Sequence, residues 1–232
     1  MFVSRSMTRG VISIEPDRTV IVAQEVMAES NIRHLPVVDS DNLLVGIVTD
    51  RDIRSALPNR YLQEGISAEQ KSKLSKLKVS DIMTSKVISI SPTYTIQDAL
   101  LMIQNAKVGA LPVVDEDGRL TGILSVRDLL RAFINVLGIG EPGTLLGIVV
   151  EEKIGQLKKI VDAITEEDVS FGSVLVARFW DEEKRAVFPY LLTQNVAHVK
   201  KKLESLGFTL LNPMDWYLDQ LQQDEKPSDH DD

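Results

Sequence analysis

The feature that most constrains this chain is an internal repeat. The segment from Met7 to Leu57 can be laid on Met83 to Phe133 without a gap. Met7-Thr8 falls on Met83-Thr84, Val11-Ile12-Ser13-Ile14 on Val87-Ile88-Ser89-Ile90, and Leu35-Pro36-Val37-Val38-Asp39 on Leu111-Pro112-Val113-Val114-Asp115. Further along, Gly46-Ile47 and Arg51-Asp52 fall on Gly122-Ile123 and Arg127-Asp128. One register held over so many motifs marks a duplicated structural unit. The two halves must then share one fold and pack on each other about a pseudo-twofold axis.

Each copy reads as β-α-β-β-α. Val11–Ile14 is a short β-branched strand, and Thr19 can cap a helix whose apolar positions Val20, Ala23, Val26 and Met27 fall at helical spacing. In the second copy Thr95 and Asp98 have capping-box spacing, with Ile96, Ala99, Leu100 and Ile103 as the stripe. Leu35–Val38 and Leu44–Val48 are apolar strands, Asp39–Asn42 and Asp115–Gly118 are turns, and Asp52–Leu57 opens a helix. Between the copies, Ser67 and Gln70 make another capping box and Ala68–Leu77 reads as a solvent-facing connector helix.

After the repeat the pattern changes. Gly138–Gly143 punctuates the chain like a linker. Leu145–Val150 is a strand, and Ile154–Ile164 is a helix with Leu157, Ile160, Val161 and Ile164 on one face. Ser173–Trp180 is a strand, Asp181–Lys184 a turn, and Arg185–Leu192 the hairpin partner. Val196–Leu206 is a helix with Val199, Leu203 and Leu206 inward, Gly207 its C-cap, and Phe208–Leu211 the last strand. The order β-α-β-β-α-β is that of a ferredoxin-like split βαβ unit. Met214–Gln223 reads as a short helix with Trp216 and Leu218 docking, and the tail is acidic. The expected class is α+β. The first copy takes residues 1–57, the connector 58–80, the second copy 81–137, the linker 138–143, the C-terminal domain 144–212 and the tail 213–232.

The pattern MTxxVISIxP, LPVVDxD, GI(V/L)(T/S)xRD, present twice in order, resembles the CBS domain, and two of them resemble a CBS pair. The resemblance covers about Met1–Leu137. It implies two βαββα units packed by their sheets, with clefts that bind AMP, ADP, ATP or S-adenosylmethionine.

The residues themselves suit such a ligand. A strand ends at Val48 and a helix starts near Arg51, so unpaired N–H groups and a partial positive charge await a phosphate. Thr49 can donate its hydroxyl, Arg51 can add a charge-assisted bond, and Asp52 can accept ribose hydroxyls. Ser125, Arg127 and Asp128 offer the same in the second copy. Thr-x-x-Asp and Ser-x-x-Asp are also capping boxes that need no ligand. The base would lie near Ile32–Pro36, including Pro36, or Val108–Pro112, with Val108 and Pro112 at its ends. By resemblance, Thr8 and Val11 with Thr84 and Val87 line the same clefts. Arg33-His34 stands where the second copy has Gly109-Ala110. The basic pair either neutralises phosphates or is simply exposed, and the small pair leaves room for a base. Asp50 would oppose a phosphate where Val126 would not, which ranks the Ser125/Asp128 cleft above the Thr49/Asp52 cleft.

In the C-terminal part, Glu152-Lys153-Ile154-Gly155-Gln156-Leu157 resembles the ACT-domain turn DRPGxL, with Ile154 where that family has Pro. The resemblance implies an amino-acid site around Lys153, Ile154, Gly155 and Leu157, or a purely structural or dimerising domain. A CBS pair followed by an ACT-like domain resembles the acetoin-utilisation B-type family.

Composition narrows the function. With no Cys, disulfides, Cys-ligated zinc and thiol catalysis are excluded. His34, His198 and His230 are far apart and none has metal-ligand spacing, so no metal is expected. The net charge of -8 disfavours nucleic acid and anionic membrane, and Lys200-Lys201-Lys202 reads as the solvated face of a helix. The N-terminus has no apolar signal region, and no apolar run reaches the roughly 20 residues that cross a bilayer. A cytoplasmic protein is expected. With no nucleophile–base pair and no P-loop, the expectation is a non-catalytic, homodimeric regulator that senses an adenine nucleotide and requires no cofactor. A structural module with empty clefts is the alternative.

Overall fold

The computed structural model describes residues 1–57, 75–178, 183–212 and 214. The chain divides into two compact units, Met1–Ala132 and Phe133–Asp232. Most of the connector with Ser67 and Gln70, the turn residues Asp181 and Glu182, and Trp216 and Leu218 lie outside the described residues.

In the first unit, helix α1 (Val20–Glu29) begins at Thr19, whose side chain accepts the Val22 N–H. It buries Val20, Ala23 and Met27 against strands β1 (His34–Val38) and β2 (Leu44–Thr49). The hairpin turn is fixed by Asp39, whose Oδ1 accepts the N–H groups of Asp41 and Leu43, and by Asn42 at φ 63°. Helix α2 (Asp50–Ala56) begins two residues earlier than the sequence suggested. The second copy repeats the plan with α3 (Ile96–Ala106), β3 (Ala110–Val114), β4 (Leu120–Ser125) and α4 (Val126–Leu137). The Thr95–Asp98 capping box is formed, and Ile96, Ala99 and Ile103 are buried, whereas Leu100 is exposed rather than part of the stripe.

The expected strand Val11–Ile14 is reduced to one bridge, Ile14 to Val37. Ile14 donates its N–H to Pro36 O and accepts from Val38 N–H. The next bond back along that parallel ladder would need an N–H on Pro36, which proline lacks. Pro112 imposes the same limit on Ile90, which bridges Val113 alone.

The copies exchange their lead-in segments. Thr8 pairs with Ile123 of β4, and Thr84 with Ile47 of β2, both by reciprocal backbone hydrogen bonds. Phe2 bridges Thr95, and Lys78 bridges Thr19. Val3 is buried beneath the second copy with its N–H on Tyr94 O, and Val79 joins the core of the first. Each outer hairpin edge is thus covered by a segment from the other copy, which removes an exposed pairing edge. The glycines in β2 and β4 make room for it. A Cβ on Gly122 would lie 2.5 Å from Met7 Sδ, and Gly46 stands in the same relation to Met83 Sδ.

Among its described residues the second unit forms an antiparallel sheet with helices packed on it. The expected strand Leu145–Val150 is two pieces, β5 (Thr144–Leu145) and β6 (Ile148–Glu151), both paired with β8 (Lys184–Leu191) in one continuous register. Leu146 donates its N–H to Pro189 O, and Pro189 has no N–H to return, so the ladder breaks there. Helix α5 (Gln156–Thr165) starts at Gly155, which holds φ 93° and cannot continue it backwards. Ile154 therefore lies outside the helix and fully exposed, Leu157 is exposed as well, and Ile160, Ala163 and Ile164 form the buried face. Strand β7 (Phe171–Arg178) pairs with β8, helix α6 (Ala197–Ser205) buries Val199 and Leu203, and β9 (Thr209–Leu210) pairs with β6. Leu206 points outward, beside Gly207 at φ 85°. The strand order β9-β6-β8-β7 is that of a split βαβ unit, and its core runs from Leu146 and Ile148 to Val199 and Leu203.

Candidate functional site

The exchange of lead-in segments builds a cleft of about 580 Å³ that belongs to both copies. The first copy supplies Arg33, His34, Thr49, Arg51 and Asp52. The second supplies Thr84, Val87, Val108, Gly109, Ala110 and Pro112. The sequence left open which of these groups share a cleft. They meet because Thr84 is stitched to Ile47, which brings Val87 alongside the end of β2.

Local chemistry fixes the floor. Asp52 Oδ2 accepts the Thr49 N–H at 2.8 Å and the Thr49 hydroxyl at 2.7 Å, and Thr49 Oγ1 accepts the Asp52 N–H at 3.3 Å. Asp50 N–H goes to Arg33 O. The hydroxyl hydrogen of Thr49 is thus given to Asp52, not held free for a phosphate, and most of the N–H groups at this helix start are committed. What stays open is Oδ1 of Asp52, which has no hydrogen-bond partner among the described residues, together with the Arg51 side chain. An unengaged carboxylate oxygen on a cleft wall can accept a sugar hydroxyl, and a free guanidinium can bind phosphate.

Arg33 is exposed, while His34 is half-buried with its ring against Gly109. A Cβ on Gly109 would lie 2.6 Å from His34 Nε2, so the room expected at Gly109 is taken by the imidazole. Burial pushes the His34 pKa below its ordinary value, the Arg33 charge pushes it further down, and Asp52 offsets part of the shift. These shifts favour the neutral ring. Residues not singled out from sequence also line the cleft, notably Lys86, Lys107 and Arg54, the last paired with Asp50 at 2.8 Å. Laying the two copies on each other and asking where charge differs would have found them.

At the Ser125/Asp128 side, ranked first from sequence, the carboxylate is engaged by groups of the protein itself. Asp128 is only 6% exposed. Its Oδ2 accepts the Ser125 N–H at 2.9 Å and the Ser125 hydroxyl at 2.6 Å. Its Oδ1 meets the Thr8 hydroxyl at 3.5 Å and Arg131 at 3.3 Å. Both of its oxygens thus have partners within the protein, whereas Asp52 engages only one. Arg127 is exposed, Val11 half-buried and Pro36 buried in β1, and none of these three lines the composite cleft.

In the second unit, Lys153, Ile154 and Leu157 line a shallow hollow of about 290 Å³ with Val176, Arg185 and Val187. Gly155 supplies the turn and not the lining. Among the described residues no group of acidic or His side chains could hold a metal ion, and no helix is long and apolar enough to cross a membrane.

Two like repeats that contribute to one shared cleft define a paired-repeat module. The chain belongs to the CBS-domain family, whose model matches residues 3–59 and 79–135. It is 36% identical over 137 residues, 59% of this chain and 94% of the relative, to a CBS domain-containing protein of Dictyostelium discoideum. It is also 37% identical to the inosine-5'-monophosphate dehydrogenase of Methanocaldococcus jannaschii, over 53% of this chain but only 22% of that enzyme. Among solved structures, a candidate acetoin utilization protein of Vibrio cholerae is 28% identical over 61% of this chain and 98% of its own, with a TM-score of 0.50. CBSX2, solved in complex with AMP, is 30% identical over 57% of this chain and 96% of its own, with a TM-score of 0.49. The family model spans the repeat and ends at residue 135.

Proposed function

We propose that this chain is a non-catalytic regulatory protein whose CBS pair senses an adenine nucleotide or S-adenosylmethionine in the composite cleft. The observation that carries the reading is the convergence of the free Asp52 Oδ1 and the Arg51 side chain with Thr84, Val87 and the 108–112 segment on one cavity. Its volume of about 580 Å³ lies within the range of small-ligand pockets, roughly 300–1,000 Å³. Asp52 would take the ribose, Arg51 a phosphate, and the backbone and apolar groups at Val108–Pro112 the base. Thermal shift and calorimetry with AMP, ADP, ATP, S-adenosylmethionine and GMP test it, because a ligand that binds only the native state raises its melting temperature. Adenine compounds should bind and GMP should bind much more weakly. Equal or tighter GMP binding, with every adenine compound silent, overturns the reading.

A second reading, a structural module with empty clefts, draws support from the two capping boxes, which are satisfied with no ligand. It predicts no response to any of these compounds. For the second unit we propose an ACT-like role, pairing subunits or holding an amino acid at the Lys153–Leu157 turn. Support comes from its strand order and from Gly155 at the head of α5. The same reading makes the protein a homodimer acting in the cytoplasm. Sedimentation of a 25.8 kDa monomer at tens of micromolar would overturn the dimer.

A further inference from the structure

The cleft carries more positive charge than a nucleotide monophosphate needs. Arg33, Arg51, Arg54, Lys86 and Lys107 line it, against Asp50 and Asp52. Arg54 is balanced by Asp50 at 2.8 Å. The side chains of Arg33, Arg51, Lys86 and Lys107 are exposed and have no ion-pair or hydrogen-bond partner among the described residues. Four free cations face the single charge of Asp52, in a chain whose net charge is -8.

The fold does not require this excess. Under the repeat's register Lys86 corresponds to Gly10, Lys107 to Asn31 and Arg54 to Leu130, and the same elements form in both copies. With Arg33 against Gly109, four positions are cationic in only one of the two copies, two from each copy, and all four line one cavity. Bringing like charges together is unfavourable by itself. A polyanion in the cavity offsets that repulsion.

We propose that the cleft selects an adenine nucleotide with two or three phosphates over AMP, and excludes S-adenosylmethionine. This rests on the adenine reading above. A monophosphate brings about two negative charges at neutral pH, which leaves cations unmatched, and each further phosphate adds about one more. S-adenosylmethionine carries a sulfonium and an ammonium against one carboxylate, so the cleft repels it. Lys86 and Lys107, both from the second copy, hold the outer phosphates, and Arg51 holds the phosphate nearest the ribose.

Calorimetry on the full chain without divalent metal tests this, at low and high salt, with ATP, ADP, AMP, S-adenosylmethionine and inorganic tripolyphosphate. ATP should bind at least about tenfold tighter than AMP at low salt, with a ratio that shrinks as salt screens the charges. S-adenosylmethionine should show no binding. A Lys86→Gln, Lys107→Asn double variant should lose about tenfold for ATP and keep AMP within about threefold. Asn is chosen because Lys107 sits at φ 54°, where Asn is better tolerated than most residues. An unchanged urea midpoint will show that the variant is folded. AMP or S-adenosylmethionine binding as tightly as ATP overturns this inference and leaves the adenine reading standing. Tripolyphosphate binding with all adenine compounds silent overturns the adenine reading and leaves a polyanion site. Silence of all five overturns both.

Discussion

Asp52 and Asp128 occupy the same place in the two copies, yet their substitution by Ala should have opposite consequences. Asp128 is buried and accepts from four donors: the Ser125 N–H and hydroxyl, the Thr8 hydroxyl and Arg131. Removing it leaves the Ser125 N–H without a partner in a nearly closed place, which costs about 1–3 kcal/mol. The carboxylate at the helix start adds about 0.3–1 kcal/mol. The Arg131 guanidinium is largely exposed, so that ion pair adds only roughly 0.2–1 kcal/mol. Asp128→Ala should therefore destabilise the first unit by roughly 2–4 kcal/mol and leave nucleotide affinity nearly unchanged. Asp52 is half-buried, and water can reach the Thr49 groups that it leaves. Its loss should cost about 0.5–1.5 kcal/mol of stability, the scale of a cap. It should also weaken nucleotide binding by about 1.5–3 kcal/mol, the scale of a hydrogen bond to a charged group. Urea unfolding gives the first quantity and calorimetry the second, on the same two proteins. Equal stability losses, or an affinity loss confined to Asp128→Ala, would refute the assignment of one carboxylate to the frame and the other to the cleft.

Further outcomes follow from the same geometry. Gly109→Val should drive the His34 ring into the cleft, because a Cβ there lies 2.6 Å from Nε2; binding should fall at least about tenfold, as read by calorimetry, with a stability change below about 1.5 kcal/mol by urea unfolding. The lowered His34 pKa means that the unfolded chain binds the proton more readily, so its contribution to stability is complete above about pH 6.5 and is lost as pH falls toward the folded pKa; His34→Gln should flatten that decline in a pH series of urea midpoints. Ligand phosphate beside the ring should raise its pKa again, seen as an upward shift of its titration by NMR. Gly143→Ala would press a Cβ on the Leu191 carbonyl and the Tyr190 ring, and should destabilise the second unit by roughly 1–3 kcal/mol while leaving nucleotide binding intact, measured by hydrogen exchange and calorimetry.

What the sequence made legible was local. The Thr95–Asp98 and Thr49–Asp52 boxes, the Asp39 and Asp115 turns, and the left-handed Gly207 all depend on neighbours a few residues away. Two strand expectations missed at prolines, Pro36 and Pro189, where a missing N–H ends a ladder that apolar pattern alone would extend. Helix faces were overdrawn at their ends, where Leu157 and Leu206 are exposed. The cleft was half legible. Its residue types were named, but their grouping depends on which copy's lead-in covers which sheet edge, and spacing along a chain carries no record of that. The contact that most distinguishes Asp128 from Asp52 was hidden for the same reason, since Thr8 reaches Asp128 from 120 residues away along the chain.

The exchanged lead-ins also set an order of events during synthesis. Residues 2–8 cannot settle as they emerge from the ribosome, because Phe2 waits for Thr95 and Thr8 waits for Ile123. The β2 edge is covered only when Thr84 has emerged. Until then the first copy exposes an open edge and carries an unpaired lead-in segment. Contacts so distant in sequence slow folding and lengthen the time in which such an edge can meet another chain. A second nascent copy nearby offers the same complementary edge, so co-translational pairing between neighbouring chains is the error this topology is most exposed to.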